Sequence, residues 1–243
     1  MKVCVALPSK NNERTIGNII ENLLKSKYRP KIIVIDGFSQ DRTREIASSF
    51  ENVEVLTQSE KIYPGKGVAM KDGILKAIEE SCDILAFFDA DIKNFEKSWL
   101  EKLVEKIESG VDMARGYYER RARDAPVTKL VARPLLSLFF PEISQINQPL
   151  SGEVAAKIEV WKELVKERDI PKGWGIDIWF LIETAMKGFS ISEVFLGFKN
   201  HTSFEKYEND VEPLKEMARQ IEITIIKEAV KYGRIKRVEE LLG

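Results

Sequence analysis

Short apolar runs alternate with amphipathic segments over the first 110 residues, and this alternation constrains the fold of the 243-residue chain most strongly. The runs are four to six residues long and rich in β-branched side chains, which indicates buried strands. The segments between them repeat apolar residues at helical spacing. Strands that alternate with helices form crossover units, so we expect an α/β fold with a doubly wound, mostly parallel sheet and helices on both faces. The predicted strands are 2–7, 31–35, 53–56 and 84–88.

The pattern changes after Gly110. Two further strands are predicted, at 112–118 and 190–196, and the remaining apolar residues fall mostly at helical spacing. The predicted helices are 130–140 (interrupted at Pro134), one within 173–187, one beyond Pro213 and a short last one to Leu242. Since no flexible linker separates the two parts, we expect residues 1–110 to form a nucleotide-binding half that packs with a helical half, 111–243, as one continuous domain.

Composition excludes several classes of protein. The net charge is −1, from 38 basic and 39 acidic residues, so no overall field favours a nucleic acid. No run is long enough for an integral membrane segment, and the first residues lack a signal-peptide core, which predicts a cytoplasmic protein. Cys4 and Cys82 lie in apolar runs and are expected to be buried free thiols. The charged fraction of 32% is typical of a thermophile's surface.

Two acids, Asp89 and Asp91, directly follow the apolar run 84–88. Ligands of open parallel sheets bind beyond the carboxyl ends of the strands, where Asp36 also lies. Neighbouring carboxylates repel one another unless a cation lies between them. Mg²⁺ or Mn²⁺ takes one or two carboxylates and leaves positions for water and phosphate oxygens. The pair therefore predicts a divalent metal site, although an Asp-x-Asp pair also occurs in surface turns.

Three strand-to-helix turns carry polar residues at the same edge of the predicted sheet. They read PSKNNERT (8–15), VIDGFSQDRT (34–43) and PGKG (64–67). Lys66 stands just before a helix, where its ammonium and backbone N–H groups would suit a diphosphate. The alternatives are a simple turn at PGKG and helix capping by Ser39 and Asp41.

Taken together, these elements resemble the nucleotide-sugar glycosyltransferases of the GT-A fold. The later segments VTKLVARPLL (127–136), QPLSGE (148–153) and GWGID (173–177), with a histidine after FLGFKN, resemble the glucosyl-3-phosphoglycerate synthases. The resemblance covers most of residues 3–201. The motifs of the first half are shared by many glycosyltransferases, whereas the order of the later segments is much more specific.

The resemblance implies a function and its cofactor. We expect a metal-dependent glycosyltransferase that moves a sugar with retention from a nucleoside diphosphate sugar to a small phosphorylated acceptor such as 3-phosphoglycerate. The expected donor is UDP-glucose, with GDP-mannose as an alternative. The implied ligands of the Mg²⁺ or Mn²⁺ ion are Asp91 and the only histidine, His201.

The resemblance also assigns roles to individual residues, here grouped by ligand. Catalytic roles fall to Asp177, Leu150 and Lys66. The nucleotide sugar would be bound by Pro8, Ser9, Asn12, Asp36, Gly37, Ser39, Lys66, Asp89, Ala90 and Asp177. The acceptor would be bound by Thr128, Arg133, Leu150, Ser151, Gly152 and Glu153, which makes 111–243 the acceptor-binding half.

Two readings of Asp177 remain beside its implied contact with sugar hydroxyls. The carboxylate could be the general base of an inverting reaction, or simply an acid that stabilises a helix N-terminus. Product stereochemistry separates the first reading from the resemblance.

The chain departs from the family at three places. Pro126 stands where an arginine is expected, so either Arg121 or Arg123 replaces it or the acceptor differs. Asn12 replaces a glutamate. Near His201 the arginine expected for the diphosphate is missing, which leaves Lys199 or Lys206 for that role.

Three other functions fit the same pattern. The acceptor could be polyprenyl phosphate, with the apolar 130–140 helix docking at a membrane, or it could be another sugar. The chain could also bind a nucleotide sugar without catalysis. An apolar stripe along 214–229 is compatible with a homodimer.

Overall fold

A seven-stranded sheet forms the centre of the molecule. The computed structural model describes residues 1–120, 125–203 and 211–235. Arg121, Arg123, Lys206 and the last predicted helix lie outside these residues. The strands follow the order β3-β2-β1-β4-β6-β5-β7 across the sheet. They are β1 (Val3–Ser9), β2 (Lys31–Asp36), β3 (Val53–Thr57), β4 (Ile84–Phe87), β5 (Met113–Glu119), β6 (Val154–Lys157) and β7 (Ile191–Phe198).

The sheet is parallel except for β6, which confirms the predicted fold class. β1 pairs in parallel with β2 and β4, β2 with β3, and β5 with β7. β6 lies antiparallel between β4 and β5. The sequence does not predict β6, because its four residues continue without a break into an apolar helical pattern. Its insertion leaves the carboxyl ends of β1, β2, β4, β5 and β7 at one edge.

Helices cover both faces of the sheet, as the alternation predicts. The first face packs against α1 (Ile16–Leu24), α2 (Thr43–Ser48) and α4 (Lys97–Glu108). The second packs against α3 (Lys66–Glu79), α6 (Ile158–Leu164) and α7 (Ile176–Met186). Alternate residues of each strand point to opposite faces, so all the central strands are buried on both sides.

A third apolar cluster joins the later helices. It packs α5 (Arg133–Phe139) and α7 against α8 (Glu212–Lys231). A π-helical turn, Thr128–Ala132, runs directly into α5, so Pro134 changes the winding of this helix rather than ending it. Leu136 and Phe139 of α5 are buried, so this segment packs mainly into the core.

The apolar stripe of α8 is largely used within the chain. Ile221, Ile225 and Ala229 are buried against the other helices. The homodimer therefore stays a prediction without support from this stripe. In the described part of the chain, no helix combines the length and the apolar character needed to cross a membrane.

The two cysteines form a disulfide, so the prediction of free thiols is wrong. Cys4 lies on β1, and Cys82 lies between α3 and β4, the strand that pairs with β1. The crossover thus brings the two Cα atoms to 6.0 Å although the residues are 78 apart in sequence. Because disulfides are rare in most reducing cytosols, the cytoplasmic location stays a prediction.

A buried ionisable cluster joins α7 to α8. Glu183 accepts hydrogen bonds from Lys231 at 2.6 Å and from the Tyr232 hydroxyl at 2.9 Å. Glu228 is buried beside it. Burial raises the pKa of Glu228 to about 8, and the hydrogen bond and repulsion from Glu183 act in the same direction, against the attraction of Lys231. Glu228 is therefore protonated in the folded protein at neutral pH.

This cluster predicts a loss of stability as the pH rises. Folded Glu228 keeps a proton between its ordinary pKa of 4.5 and about 8, whereas the unfolded chain does not. The free energy of unfolding should therefore fall across this range, by up to about 1.4 kcal/mol per pH unit from this group. Glu228→Gln should remove that contribution, because glutamine mimics the protonated form. Denaturant unfolding at several pH values measures it, with the exposed Glu222→Gln as control; an unchanged slope in Glu228→Gln contradicts the assignment.

Candidate active site

A cavity of about 670 Å³ opens at the carboxyl edge of the sheet. Its walls come from the turns after β1 and β2, the N-terminus of α3, the segments after β4 and β7, and α8. Among its lining residues are the predicted metal ligands Asp91 and His201, and the charged residues Lys66, Asp89 and Asp177. The fold thus gathers into one cavity these five residues, which span 135 positions in sequence, from Lys66 to His201.

Backbone pairing brings Asp91 and His201 together. Ile92 and His201 form an isolated antiparallel bridge. The Thr202 N–H donates to the Asp91 carbonyl at 3.0 Å, and the Lys93 N–H donates to the Asn200 carbonyl at 2.8 Å. The His201 Nδ1 atom lies 3.6 Å from Asp91 Oδ2. A segment that follows β7 is therefore fixed against the turn that follows β4.

Asp91 is held in its ionised form. Burial and repulsion from Asp89 favour the neutral acid, but the hydrogen bond with His201 and the attraction of Lys199 together outweigh them and lower the pKa of Asp91 below its ordinary value. Ser203 adds hydrogen bonds to Asp91 Oδ2 from its hydroxyl and, at 3.3 Å, from its backbone N–H. An anionic oxygen next to an imidazole nitrogen is a suitable ligand pair for Mg²⁺ or Mn²⁺.

Asp89 is the centre of a network of ion pairs that range from partly to fully buried. Its Oδ1 accepts from Lys66 Nζ at 2.9 Å, and its Oδ2 accepts from Lys199 Nζ at 2.9 Å. Lys66 also donates to Asp177 Oδ2 at 2.7 Å, and Lys199 to Glu153 Oε1 at 2.7 Å. The side chains of Lys199 and Glu153 are 2% and 0% exposed, so Lys199 is held in place by its ion pairs with Glu153 and Asp89. The ion pairs follow one another in the order Asp177–Lys66–Asp89–Lys199–Glu153.

The two cavity carboxylates next to Lys66 have opposite pKa shifts. Burial acts to raise the pKa of Asp89, but Lys199 and Lys66 outweigh it, so the pKa lies well below the ordinary value. Burial raises the pKa of Asp177 to about 6, because only Lys66 is close enough to oppose it strongly and Asp89 adds repulsion. The shifts mean that Asp89 stays anionic while Asp177 titrates just below neutral pH.

Gly152 lets the segment QPLSGE (148–153) approach Asp89 closely. A Cβ atom on residue 152 would lie 2.3 Å from Asp89 Oδ1 and 2.7 Å from Oδ2. Only glycine allows this close approach. The QPLSGE segment therefore holds the Asp89 carboxylate in place from behind.

Most residues predicted to bind the nucleotide sugar line the cavity. Those that do are Pro8, Ser9, Asn12, Gly37, Lys66, Asp89, Ala90 and Asp177. Asp36 and Ser39 do not: buried Asp36 accepts from the Ser39 N–H, and the Ser39 hydroxyl accepts from the Asn11 N–H. The side chain of Asn12 accepts from the Lys10 N–H at 2.9 Å. Asp36, Ser39 and Asn12 thus stabilise the turns that form this wall.

The predicted acceptor residues divide into two groups. Thr128 and Leu150 line the cavity. Ser151, Gly152 and Glu153 are buried behind it. Arg133 is exposed and donates to the Asn147 carbonyl at 2.7 Å, outside the lining. The structure therefore places Leu150 at the cavity and the rest of its segment in a supporting layer.

Several cavity residues were missed by the sequence analysis. Tyr63 and Trp174 form an edge-to-face pair with ring centroids 5.9 Å apart, and α8 contributes an apolar wall. Leu214, Met217 and Ile221 of α8 belong to the stripe 214–229, which was predicted as a helix face compatible with a homodimer and not as part of a cavity. Trp174 lies within GWGID, so its position in a motif was the one available signal. The residues of α8 that line the cavity are Pro213, Leu214, Met217 and Ile221.

The fold and this cavity define a glycosyltransferase of the GT-A class. Comparison with protein families gives the same answer: the model of the family described as mannosylglycerate synthase, GT domain, matches residues 34–218. The match spans more than half of the chain, which therefore belongs to this family of glycosyltransferases. Both the predicted GT-A fold and the predicted glycosyltransferase activity are confirmed.

Individual relatives point to a narrower similarity. The glucosyl-3-phosphoglycerate synthase of Petrotoga mobilis is 32% identical over 99% of this chain and 77% of its own. The mannosylglycerate synthase of Rhodothermus marinus is 27% identical over 79% of this chain and 52% of its own. The chain is thus similar along almost its whole length to the glucosyl-3-phosphoglycerate synthases, as the resemblance predicted.

Solved structures agree with the sequence comparison. Glucosyl-3-phosphoglycerate synthase from Mycobacterium tuberculosis, in complex with Mn²⁺, UDP-glucose and phosphoglyceric acid, matches with a TM-score of 0.80 and 29% identity. The match covers 94% of this chain and 79% of that one. The same enzyme has also been solved with Mg²⁺ and UDP.

The contact between Gly152 and Asp89 predicts the effect of one methyl group. Gly152→Ala should push Asp89 away from Lys66 and Lys199 and lower kcat/KM for sugar transfer by about 10²-fold, since small misplacements at a reacting centre have such effects. Steady-state kinetics measures this. Gly17→Ala on α1 is the matched control, because its added Cβ meets only Ile46 Cγ2 at 3.3 Å. If Gly152→Ala and Gly17→Ala are equally active, the close approach of residue 152 to Asp89 does not matter for sugar transfer, and the prediction is wrong.

Proposed function

We propose that this protein transfers glucose from UDP-glucose to 3-phosphoglycerate, with retention of configuration and in the presence of Mg²⁺ or Mn²⁺. The observation that carries the proposal is the meeting of Asp91 and His201 at 3.6 Å in a cavity that also contains Lys66, Asp89 and Asp177. The similarity to glucosyl-3-phosphoglycerate synthases supports the choice of substrates. We further propose that residues 1–110 bind the donor and 111–243 the acceptor.

The residues present fit a divalent ion. Two metal–ligand bonds of about 2.1 Å together exceed the 3.6 Å between His201 Nδ1 and Asp91 Oδ2, so one ion can contact both atoms. No group of three or more potential metal-ligating side chains occurs within residues 1–120, 125–203 and 211–235. Two protein ligands leave coordination positions for water and for the diphosphate of the donor. When bound, the ion would stabilise the negative charge of the departing diphosphate.

The nucleotide would occupy the wall made by the β1 and β2 turns. Lys10, whose ammonium donates to the Gly37 carbonyl at 2.8 Å, and the backbone of Ser9 shape this wall. Lys66 then lies between nucleotide and sugar. Its ammonium would stabilise the diphosphate while it holds Asp89 and Asp177 in place.

Asp177 would bind the transferred sugar. Its Oδ2 accepts from Lys66, whereas Oδ1 is buried without a hydrogen-bond partner among the described residues. A buried acceptor without a donor costs free energy, which a sugar hydroxyl would offset. This role fits retention: the bond from the anomeric carbon to the β-phosphate breaks, the acceptor oxygen attacks from the same side, and its proton passes to a phosphate oxygen.

The acceptor would lie between Leu150, Thr128 and the end of β5. Arg120 follows β5 and lines this part of the cavity, where its guanidinium could pair with the carboxylate or phosphate of 3-phosphoglycerate. The Thr128 hydroxyl could donate to the same group.

A second candidate is transfer from GDP-mannose to unphosphorylated glycerate. The matching family model is named for mannosylglycerate synthase. The acceptor end of the cavity also has apolar walls, formed by Pro126, Val127, Leu214 and Met217. Such walls suit a smaller and less charged acceptor than 3-phosphoglycerate.

A matrix of donors and acceptors tests both candidates. UDP-glucose and GDP-mannose are each combined with 3-phosphoglycerate, glycerate and a polyprenyl phosphate, with Mn²⁺ or with EDTA. We expect metal-dependent product only from UDP-glucose and 3-phosphoglycerate, with an α-glycosidic signal by NMR. Asp91→Ala should lower that rate by about 10³-fold, since it removes one of two protein ligands.

Other outcomes of the matrix identify other functions. Product from GDP-mannose and glycerate supports the second candidate, and product from polyprenyl phosphate alone contradicts both. Tight UDP binding without any transfer or hydrolysis indicates a non-catalytic nucleotide-sugar-binding protein.

The shifted pKa of Asp177 predicts a pH dependence. If ionised Asp177 accepts a sugar hydroxyl, kcat/KM for the donor should rise with pH and level off above about 6, the pKa of this group in the free enzyme. Lys66→Met should move this rise to higher pH, because the ammonium favours the charged carboxylate. The measurement is the pH profile of kcat/KM from pH 5 to 8 for the wild-type protein and for Lys66→Met. A rise that persists at the same pH in Asp177→Asn means that another group titrates.

A further inference from the structure

The loop Asn147–Ser151, which carries Leu150 into the cavity, is held by charged side chains from the sheet. We propose that Arg115 and Glu193 are positioning residues that grip the main chain of this loop and thereby fix the acceptor side of the cavity. This inference rests on the proposed function, because it concerns how the same site takes its acceptor.

Arg115 holds the carbonyl groups of the loop. It lies on β5 and its side chain is fully buried, with 0% of the residue exposed. One nitrogen, Nη2, donates to the carbonyls of Pro149 at 3.0 Å and Ser151 at 3.1 Å, the two residues that flank Leu150. The same nitrogen approaches the carbonyl of Asp177 at 3.4 Å. Arg115 thus connects the loop to the first turn of α7, which carries the sugar-side carboxylate.

Glu193 holds the N–H groups of the same loop. It lies on β7 directly beside Arg115 in the parallel register. Its Oε2 accepts from the backbone N–H and the side-chain amide of Asn147, each at 2.8 Å, and its Oε1 accepts from the Gln148 N–H at 2.9 Å. Arg115 therefore binds carbonyl groups of the loop, and the neighbouring Glu193, of opposite charge, binds its N–H groups.

Burial of Arg115 indicates a role beyond core packing. Within the described part of the chain it forms no ion pair within 4.0 Å, and its Nε and Nη1 atoms have no hydrogen-bond partner. Burying a cation in this way is costly, and an apolar side chain of similar size would fill the space at less cost. What the guanidinium adds is the set of carbonyl contacts around Leu150.

The grip is directed to the acceptor side. The donor wall consists of the turns after β1 and β2 and the N-terminus of α3, and the contacts of Arg115 and Glu193 described above do not include these turns. Loosening the loop should therefore weaken acceptor use and leave nucleotide binding intact. A purely structural defect would weaken both.

The test compares Arg115→Met, Arg115→Lys and Glu193→Gln with the wild-type protein. We expect Arg115→Met to raise KM for 3-phosphoglycerate by about tenfold, while the Kd of UDP with Mn²⁺, measured by calorimetry, changes less than twofold. Arg115→Lys should recover most of the loss, since an ammonium has three donors for the converging carbonyls. Glu193→Gln should give an intermediate loss, because its amide presents an N–H group toward one of the loop donors.

Hydrogen exchange followed by mass spectrometry gives a second readout that needs no substrate. Peptides that contain residues 147–151 should exchange faster in Arg115→Met and Glu193→Gln, whereas peptides from β2 should not change. Lys157→Met, at the opposite end of β6, is the control for loss of a cation from the same sheet. If Arg115→Met does not fold, Arg115→Lys and Glu193→Gln carry the same comparison.

The outcomes separate this inference from the proposed function. Unchanged acceptor KM and unchanged exchange in the loop overturn the inference, as does an equal loss of nucleotide and acceptor binding. If the wild-type protein transfers sugar to no acceptor, the proposed function fails, and the exchange comparison still decides whether the grip exists.

Discussion

The carboxylate of Asp89, shared between two lysines, is the interaction on which the site depends. Lys66 reaches it from α3 and Lys199 from the segment after β7, so one anion connects residues 1–110 with the later half of the chain. Desolvating these charges is expensive, and each is compensated only in this arrangement. The same two segments, after β4 and after β7, also position the neighbouring Asp91 and His201. A single strand-end turn therefore organises both the ion pairs and the pair of potential metal ligands.

The sequence predicts the strands of residues 1–110 well, but it predicts poorly the contacts between these residues and the rest of the chain. Periodicity locates β1 to β4, and the rule that ligands bind at the carboxyl ends of parallel strands places Asp89 and Asp91 correctly at a cavity. Nothing local indicates that Lys199 pairs with Asp89 and Glu153, because these residues are 110 and 46 positions apart. β6 is not predicted because its four residues run without a break into an apolar helical pattern, and the Cys4–Cys82 disulfide is not predicted because it depends on the order of the strands in the sheet. The motif resemblance predicted that Arg133 binds the acceptor, whereas in the structure it donates to a backbone carbonyl of the loop Asn147–Ser151.

The proposed acceptor side of the cavity consists of two layers of residues. Leu150 and Thr128 reach the cavity, while Arg115, Glu193 and Arg133 hold the main chain behind them. Motif similarity named Thr128 and Leu150 of the first layer but, of the second layer, only Arg133. The second layer depends on side chains from β5, β7 and α5 that meet only in the folded chain. The apolar wall from α8 likewise forms only in the folded chain. It distinguishes the proposed acceptor end from the part of the cavity lined by the charged residues Lys66, Asp89 and Asp177.

The most direct measurement of metal-assisted donor binding is anomalous diffraction from a crystal grown with Mn²⁺ and UDP. We expect one manganese ion in contact with Asp91 and His201, at about 2.1–2.3 Å from each, and with an oxygen of the diphosphate. Lys66 and Lys199 should remain paired with Asp89. A bound UDP with no manganese at these two residues, or manganese held elsewhere in the cavity, would contradict the role assigned to Asp91 and His201.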